Sequence, residues 1–306
     1  MVIIYGFGAH AKRIYDLYGD FLDEIEVVID RKCQTISGKY KCISWENFVE
    51  NKDKFTSNVI IIGTVKYENE VRQKIIDSSL FLDQNILSIN DWARMGEIKK
   101  MQQLMYAGGL IDKSLLKNAK VMPSRDDVLS MMPINMVVAE VGVAFGDFSR
   151  KILDNMHPSK FYAIDIFDDS VKGMWEKNIF EETNMTHYEW YKNRFSKEIA
   201  AEIVEQRKGY SWECLEQFPD NYFDYVYLDA AHDYISVSRD VEVLKRVVKA
   251  GGIIQFNDYI FYDYGVMVPY GIMPVVNKLV NDTKSEVLYY CLSLDGFDDI
   301  VVRLNK

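Results

Sequence analysis

The sequence predicts an α/β fold in which two mainly parallel β-sheets follow one another along the chain. Apolar runs of strand length alternate with amphipathic runs of helical length. Two of the strand-to-helix junctions are rich in glycine, and 306 residues suffice for two separate cores. We therefore expect a small Rossmann-like α/β domain over residues 1–91, a helical linker over 92–120 and a larger α/β domain over 121–306.

The first domain is predicted from four short apolar segments that alternate with helical patterns. These segments are VIIY, EIEVVID, SNVIIIGTV and NILSI. The turn GFGAHA separates the first strand from the helix KRIYDLYGDF. Strands and helices that alternate at this spacing indicate a parallel sheet.

The second domain is predicted from seven strands with helices between most of them. Their ranges are 136–141, 160–165, 205–209, 223–228, 251–256, 286–293 and 299–304. The connection over 168–200 is long for this type of fold and rich in aromatic side chains. These include Trp175, Phe180, His187, Tyr188, Trp190 and Tyr191. Helices with a packed aromatic face explain that composition slightly better than a lid over a substrate.

The segment VVAEVGVAFGDFS, residues 137–149, is the most informative part of the chain. It predicts a strand, a glycine turn and the start of a helix. Gly142 and Gly146 permit tight backbone turns and leave space for a ligand. The helix start offers free N–H groups to an anion such as a carboxylate. Asp165 ends the next strand, where its carboxylate can accept two hydrogen bonds from a ribose diol.

This order of motifs resembles the class I S-adenosylmethionine-dependent methyltransferases. The shared pattern is E-x-G-x-x-x-G, an acid at the end of the next strand, then YVYLDAAHDY and VVKAGGIIQFNDY. The resemblance covers roughly residues 121–306 and is greatest to a bacterial subgroup that acts on small molecules and sugars. It implies a seven-stranded Rossmann-like sheet that ends in an antiparallel hairpin, with S-adenosylmethionine as cofactor. Another doubly wound α/β domain is the alternative fold.

The resemblance also implies which residues contact the cofactor. Glu140 would orient the glycine turn or the cofactor's amino group, or else cap the following helix. The turn itself, with Gly142 and Gly146, would pass close to the methionine part. The remaining expected cofactor contacts are Asp165, Ile166, Ser211, Trp212 and Asp229. Trp212 would stack on adenine, with a place in the core as the alternative.

Three residues are the candidates for catalysis: His232, Asp229 and Asp258. An imidazole can accept a proton near neutral pH, so His232 is the expected general base, and a purely structural histidine is the alternative. Asp229 and Asp258 also match positions at which metal-dependent O-methyltransferases bind Mg²⁺. Ala231 and Asn257 stand where such enzymes have further acids, so Mg²⁺ is left open and metal dependence is not favoured.

The N-terminal GFGAHAKR supports a different set of alternatives. Gly6, Gly8 and Ala11 fit the dinucleotide pattern G-x-G-x-x-G/A, and Asp30 ends the second strand. The segment also resembles the N-terminal domain of bacterial sugar-nucleotide acyltransferases. About 90 residues are few for a full dinucleotide-binding domain, so we favour a nucleotide-sugar or docking role over NAD. A domain that only packs against its neighbour is the third alternative.

Composition excludes several other classes of function. The net charge is −10, the pI is about 5.0 and no Lys/Arg cluster is present, which argues against a nucleic-acid acceptor. No apolar run approaches the roughly 20 residues that span a bilayer, and no basic leader precedes the first strand. The cysteines at 33, 42, 214 and 291 are scattered without a CxxC motif. We therefore expect reduced thiols and a cytoplasmic protein.

Together these observations predict an S-adenosylmethionine-dependent methyltransferase of glycan, polysaccharide or natural-product biosynthesis. The expected acceptor is a small sugar or nucleotide sugar, methylated on oxygen, with nitrogen as the alternative. A different class of function is an NAD-dependent oxidoreductase that uses the N-terminal glycine turn. A third is a nucleotide sensor without catalysis. Neither a nucleic acid nor a membrane is expected as a partner, and a homo-oligomer is left open.

Overall fold

The computed structural model describes residues 1–31, 40–168 and 185–306. Contacts within the chain divide it into two compact units, Met1–Gln103 and Leu104–Lys306. The boundary between them falls inside one long helix, Ile89–Gly108.

The first unit is built on a five-stranded parallel sheet, which confirms the predicted parallel sheet of the N-terminal domain. Its strands are β1 (Val2–Tyr5), β2 (Ile25–Ile29), β3 (Cys42–Ile43), β4 (Ile60–Ile62) and β5 (Ile86–Ser88), in the spatial order β3-β2-β1-β4-β5. All neighbouring strands run parallel. The helices are α1 (Ala9–Tyr18), α2 (Trp45–Glu50), α3 (Glu68–Asp77) and α4 (Ile89–Gly108), with 3₁₀ turns at Gly19–Phe21, Lys52–Lys54 and Asp83–Asn85.

Side chains of these strands are buried on both faces of the sheet. Ile3 and Ile60 belong to one buried cluster, whereas Ile4 belongs to a second cluster. Strand β5 runs directly into α4, and Ile89 and Trp92 of that helix are buried in the second cluster. Because these side chains complete the core, the first unit extends beyond residue 91, where we expected it to end.

The second unit contains an eight-stranded sheet, so the expected number of seven strands is wrong. Its strands are β6 (Lys120–Met122), β7 (Val137–Val141), β8 (Lys160–Asp165), β9 (Val204–Lys208), β10 (Phe223–Leu228), β11 (Val248–Phe256), β14 (Glu286–Cys291) and β15 (Asp299–Arg303). The order is β6-β14-β15-β11-β10-β7-β8-β9, and β15 is antiparallel to both of its neighbours. Strand β6 escaped the pattern analysis because it has three residues, two of them exposed.

The helices of this unit cover the sheet and position its carboxyl edge. They are α5 (Arg125–Leu129), α6 (Asp147–Met156), α7 (His187–Arg194), α8 (Ser196–Ala200), α9 (Ser211–Glu216), α10 (Tyr234–Val247) and α11 (Ile272–Thr283). A 3₁₀ turn spans Lys113–Leu116, and the small hairpin β12 (Tyr262–Asp263) and β13 (Val268–Pro269) lies between β11 and α11. Asp233 is the N-cap of helix α10, and its carboxylate accepts the N–H groups of Ile235 and Ser236.

In the second unit, successive side chains of the central strands alternate between two buried clusters, one on each face of the sheet. Val141, Val226 and Leu228 belong to one cluster, whereas Val138 and Tyr225 belong to the other. Buried strands flanked on both faces are typical of a doubly wound sheet. The ends of these strands are therefore held rigidly, which fixes the loops that follow them.

A further expectation concerns the cysteines. Cys42 takes part in a disulfide, so the expectation of reduced thiols throughout is wrong; the spacing of cysteines in a sequence does not show which sulfurs the fold brings together. Cys214 and Cys291 are free and buried, and Cys33 lies outside the described residues.

In the connection over 168–200, Trp175 and Phe180 lie outside the described residues. Helix α7 begins with a capping box formed by Thr186 and Glu189, and its His187 and Tyr191 are buried. This part of the connection forms packed structure. Among the described residues, no helix has the length and apolarity to cross a membrane.

Candidate active site

The glycine turn after β7 is shaped by contacts with the protein itself. Gly142 has a φ of +86°, and a Cβ atom there would lie 1.9 Å from the carbonyl oxygen of Asp229. Gly146 has a φ of +79°, and its Cβ would lie 2.5 Å from the ring of Phe195. Both positions therefore require glycine for backbone conformation and for close packing, in addition to any space that a ligand needs.

Asp165 at the end of β8 is tied to this turn. Its Oδ2 accepts the N–H of Val143 at 2.9 Å, and its Oδ1 accepts the N–H of Phe167 at 2.7 Å. The carboxylate is thus held in one orientation at the carboxyl edge of the sheet. Each oxygen has a second lone pair, so hydrogen bonds from a ribose diol are compatible with this geometry. Its contact with a cofactor stays a prediction.

Glu140 lies beneath the turn, with an exposed fraction of 1%. Its carboxyl accepts a hydrogen bond from the hydroxyl of Ser149 in α6, and Ser149 in turn accepts one from Tyr191 at 2.9 Å. Burial raises the pKa of Glu140 well above its usual range. The side chain therefore links β7 to the helix after the turn through a side-chain hydroxyl rather than by capping the helix, whose N-cap is Gly146. Direct contact of Glu140 with a cofactor stays a prediction.

An open groove of about 660 Å³ continues from Asp165 along the ends of β8 and β9. It is lined by Ile166, Phe167, Asp168, Thr186, Lys208, Gly209, Tyr210 and Glu213. Ile166, one of the expected cofactor contacts, is 48% exposed here. The groove has the position in which the resemblance places the nucleoside part of the cofactor.

Two aromatic residues line this groove: Tyr210 is 57% exposed, whereas Phe167 is 2% exposed. Trp212 stacks on Tyr210, with ring centroids 5.0 Å apart and an interplanar angle of 10°, while Arg239 lies over the indole at 5.1 Å. Tyr210 lines the groove and Trp212 does not, so the stacking of Trp212 on adenine stays a prediction. Ser211 begins α9 and does not line the groove, so its contact with the cofactor stays a prediction.

The ends of β10 and β11 bring the three candidate catalytic residues together. Nε2 of His232 lies 3.5 Å from Oδ1 of Asp229 and 3.5 Å from Oδ2 of Asp258. Burial lowers the pKa of His232, but the contacts with both carboxylates outweigh it and raise that pKa above its ordinary value. Burial likewise raises the pKa of Asp258 to about 6. The arrangement can hold an imidazole and move a proton near neutral pH.

Tyr270 fixes the plane of this imidazole. The two rings stack with centroids 4.7 Å apart and an interplanar angle of 5°. The Tyr270 hydroxyl donates to Oδ2 of Asp263 at 2.9 Å, and Oδ1 of that residue accepts the N–H groups of Gly265 and Val266. The β12–β13 hairpin thereby supports His232, a role for which the sequence carries no motif.

Arg125 reaches the same edge from α5, ahead of the first central strand. Its Nη1 donates to the hydroxyl of Tyr227 at 3.1 Å and lies 3.9 Å from Oδ1 of Asp299. The guanidinium also lies over the ring of Phe148 at 5.5 Å. Sequence analysis missed this residue because α5 belongs to none of the motifs.

A buried polar network lies behind these side chains. Tyr225 donates to Gln255 at 2.7 Å, Gln255 donates to Asp299 at 2.7 Å, and Asn257 donates to Asp299 at 3.3 Å. Burial raises the pKa of Asp299 to about 7. Asn257 is therefore directed at Asp299. Across residues 1–31, 40–168 and 185–306, no group of three His, Cys, Asp or Glu side chains is arranged to hold a metal ion, so Mg²⁺ has no support from the structure.

Comparison with known proteins identifies the central part of the second unit. Residues 139–259 match a family model described as "Methyltransferase domain". An uncharacterised protein of Acanthamoeba polyphaga mimivirus is 32% identical over 99 residues, which are 31% of this chain and 42% of that protein. The match thus spans less than half the length of that relative.

Two solved structures show weak similarity to the chain. One is a SAM-dependent methyltransferase from Aquifex aeolicus, with 17% identity and a TM-score of 0.41 over 68% of this chain and 98% of that chain. The other is an O-methyltransferase family protein from Burkholderia thailandensis, with 12% identity and a TM-score of 0.42 over 69% and 72%. At these TM-scores the likeness carries no information about the acceptor.

Proposed function

We propose that the protein is an S-adenosylmethionine-dependent methyltransferase that methylates a hydroxyl oxygen of a small sugar or nucleotide sugar, since residues 139–259 match a family model described as "Methyltransferase domain". A nitrogen acceptor is the alternative. The observation that carries the proposal is the position of His232 between Asp229 and Asp258, one strand away from the glycine turn. The sugar class itself comes from the resemblance of the sequence.

The residues around the turn fit the proposed cofactor. S-adenosylmethionine supplies an activated methyl group and, with it, the leaving group of the reaction. Asp165 would hold the ribose, and the groove lined by Ile166 and Tyr210 would receive the adenine. The glycine turn would direct the methionine part of the cofactor toward Asp229, whose carbonyl oxygen lies against Gly142. The reacting carbon would thus come close to His232.

His232 would remove the proton from the acceptor hydroxyl. Its Nε2 is buried between the two carboxylates, which leaves Nδ1 as the nitrogen that accepts the proton. The carboxylates stabilise the imidazolium that then forms, and the stacked Tyr270 holds the ring in place. In-line attack requires the acceptor oxygen at near-attack distance from the methyl carbon, and a rigid base favours this.

The charges at the site favour a neutral or cationic acceptor group. Asp229 and Asp258 flank His232, whereas the positive charge of Arg125 lies beside Tyr227 and Asp299. A phosphate or carboxylate beside the reacting atom would be repelled. In a nucleotide sugar, the phosphates would therefore lie away from the methylated hydroxyl.

For the first unit we propose a nucleotide-sugar or docking role of its own. Its glycine turn donates the N–H of Phe7 to Oδ2 of Asp30 at 3.1 Å, the geometry of a nucleotide-binding turn. The short sheet and the composition of GFGAHAKR favour this role over NAD.

The first experiment is a search for bound ligands and for methyl transfer. Mass spectrometry of the purified protein would identify co-purified small molecules. Methyl-labelled S-adenosylmethionine would then be incubated with UDP-hexoses, dTDP-hexoses, free hexoses and amino sugars. Label on a hydroxyl of a sugar supports the proposal, and label on an amine supports the alternative. Failure of the protein to bind S-adenosylhomocysteine in calorimetry would overturn the assignment.

A chelator decides whether a metal contributes. With His232 as the base, we expect EDTA to leave turnover unchanged and His232→Ala to be more damaging than Asp258→Ala. A metal mechanism predicts the reverse: EDTA abolishes turnover, Mg²⁺ restores it, and Asp258→Ala is the more damaging change.

A further inference from the structure

We propose that Arg125 binds the carboxylate at the amino-acid end of the cofactor. This inference rests on the proposed function, because it assigns a residue to the cofactor of that reaction. It also gives a role to α5, which lies outside the segment that matches the methyltransferase domain.

The position of Arg125 is the first argument. Its guanidinium lies over the ring of Phe148, which belongs to the first turn of α6, directly after the glycine turn. Phe148 packs on Tyr227 with ring centroids 4.1 Å apart, and the hydroxyl of Tyr227 accepts the hydrogen bond from Arg125. Tyr227 pairs with Glu140 across β10 and β7. The charged group therefore lies beside the glycine turn, over strands β7 and β10.

The second argument is the set of donors that Arg125 has left. Its hydrogen bond to Tyr227 and its ion pair with Asp299 both use Nη1. Over the part of the chain that the structure describes, neither Nε nor Nη2 has a hydrogen-bond partner, and 42% of the side chain is exposed. A guanidinium presents its donors as a planar fork that matches the two oxygens of a carboxylate. The free edge of Arg125 can therefore bind one in bidentate fashion.

The third argument is the pattern of charge. The carboxylates of Asp229 and Asp258 lie close enough to interact electrostatically with Arg125. An amino acid carries an ammonium and a carboxylate on one carbon, so it fits a site where acids and a guanidinium are adjacent. Asp165, which is proposed to hold the ribose, ends β8, on the opposite side of β7 from β10. A molecule that spans the two would have its amino-acid end at Arg125.

Two ligands separate this role from a structural one. S-adenosylhomocysteine has the amino-acid end, and 5′-methylthioadenosine lacks it. We expect Arg125→Met to weaken S-adenosylhomocysteine binding about 10-fold or more in calorimetry, since a charge-assisted hydrogen bond is lost. Affinity for 5′-methylthioadenosine should stay within about twofold, because its contacts lie elsewhere. The control is Arg303→Met, an arginine of the same sheet paired with Glu286, which should change neither affinity.

Each outcome decides a different point. Unchanged affinity of Arg125→Met for S-adenosylhomocysteine would overturn the inference and leave the proposed function standing. If the wild-type protein bound neither ligand, the proposed function would be lost and this inference with it. Arg125→Met could weaken the binding of both ligands simply because Asp299 is left without its partner. In that case Arg125→Lys is the deciding variant, since lysine keeps the positive charge but lacks the planar guanidinium donors. A selective loss of S-adenosylhomocysteine in that variant supports the inference, and an equal loss of both ligands contradicts it.

Discussion

The two units form the same glycine turn after their first central strand. Gly6 and Gly142 have φ values of +85° and +86°, and each donates its N–H to the neighbouring strand, at 2.7 and 2.8 Å. The residue after each glycine donates its N–H to an acid, Asp30 at 3.1 Å and Asp165 at 2.9 Å. The same backbone turn, with the same hydrogen bonds, is thus present twice in one chain.

The side chains around the two turns differ at the positions where chemistry would occur. Gly63 and Asp229 occupy corresponding places, and each donates its N–H to the strand before the turn at 2.8 Å. A Cβ atom on Gly63 would lie 1.8 Å from the carbonyl oxygen of Gly6, so a side chain is excluded there. In the second unit the same place bears a carboxylate that contacts His232. A shared turn therefore indicates a fold, and the side chains at the strand ends indicate a function.

The largest predicted difference between the units is in turnover. His232→Ala should lower the rate constant about 10²–10⁴-fold, because it removes the proposed general base. Lys66, three residues beyond Gly63, is the corresponding position in the first unit, and Lys66→Ala should leave the rate unchanged. The measurement is labelled methyl transfer to the acceptor that the ligand search identifies. Equal losses in both variants would contradict the division of roles between the units.

A smaller effect is expected in the pH dependence of the same reaction. The base must be unprotonated, and the pKa of His232 is raised, so the rate should increase with pH through a pKa above 6.5. Asp229→Asn removes one of the two carboxylates that raise this pKa, so the ascending limb should move to lower pH by up to about one unit. Asp30→Asn should leave the limb in place. NMR titration of the His232 imidazole provides a second measurement. If the ascending limb of the pH–rate profile does not move in Asp229→Asn, the contact with Asp229 is not the cause of the raised pKa.

The smallest predicted effect concerns the groove. Tyr210→Ala should weaken S-adenosylhomocysteine binding about 2–10-fold, because an aromatic contact contributes roughly 0.5–1.5 kcal/mol. Tyr67 is 52% exposed and follows β4 in the first unit, so Tyr67→Ala serves as the matched control and should have no effect. Calorimetry measures both. A loss in Trp212→Phe but none in Tyr210→Ala would return the stacking role to the tryptophan.

Much of the fold follows from the period of the apolar residues. All seven predicted strands of the second unit are present, and most of them are recognised by continuous apolar runs, although β9 has the polar sequence VEQRK. Strand β6 was missed because Lys120 and Val121 are exposed, and pairing with β14 rather than burial makes it a strand. Edge strands of this kind depend on a partner far along the chain.

The candidate site was predicted as far as local sequence determines it. Asp229 and Asp258 end neighbouring parallel strands, so their proximity follows from topology. Tyr270 and Arg125 come from elements outside the motifs, and only tertiary packing brings them to His232 and Tyr227. Trp212 shows a second limit of the sequence analysis, because a sequence does not show which of two adjacent aromatic rings faces a groove.

Calorimetry of matched aspartate variants tests the central claim most directly. Asp165→Ala and Asp30→Ala each remove the hydrogen bond that a strand-end carboxylate accepts from a glycine turn, and Asp165→Ala also removes the one from Phe167, so the thermal stability of both variants is measured alongside. We predict that Asp165→Ala weakens S-adenosylhomocysteine binding about 10-fold or more, since charge-assisted hydrogen bonds to the ribose are lost, and that Asp30→Ala leaves it unchanged. Unchanged affinity in Asp165→Ala, or an equal loss in Asp30→Ala, would contradict the assignment of the cofactor to the second turn.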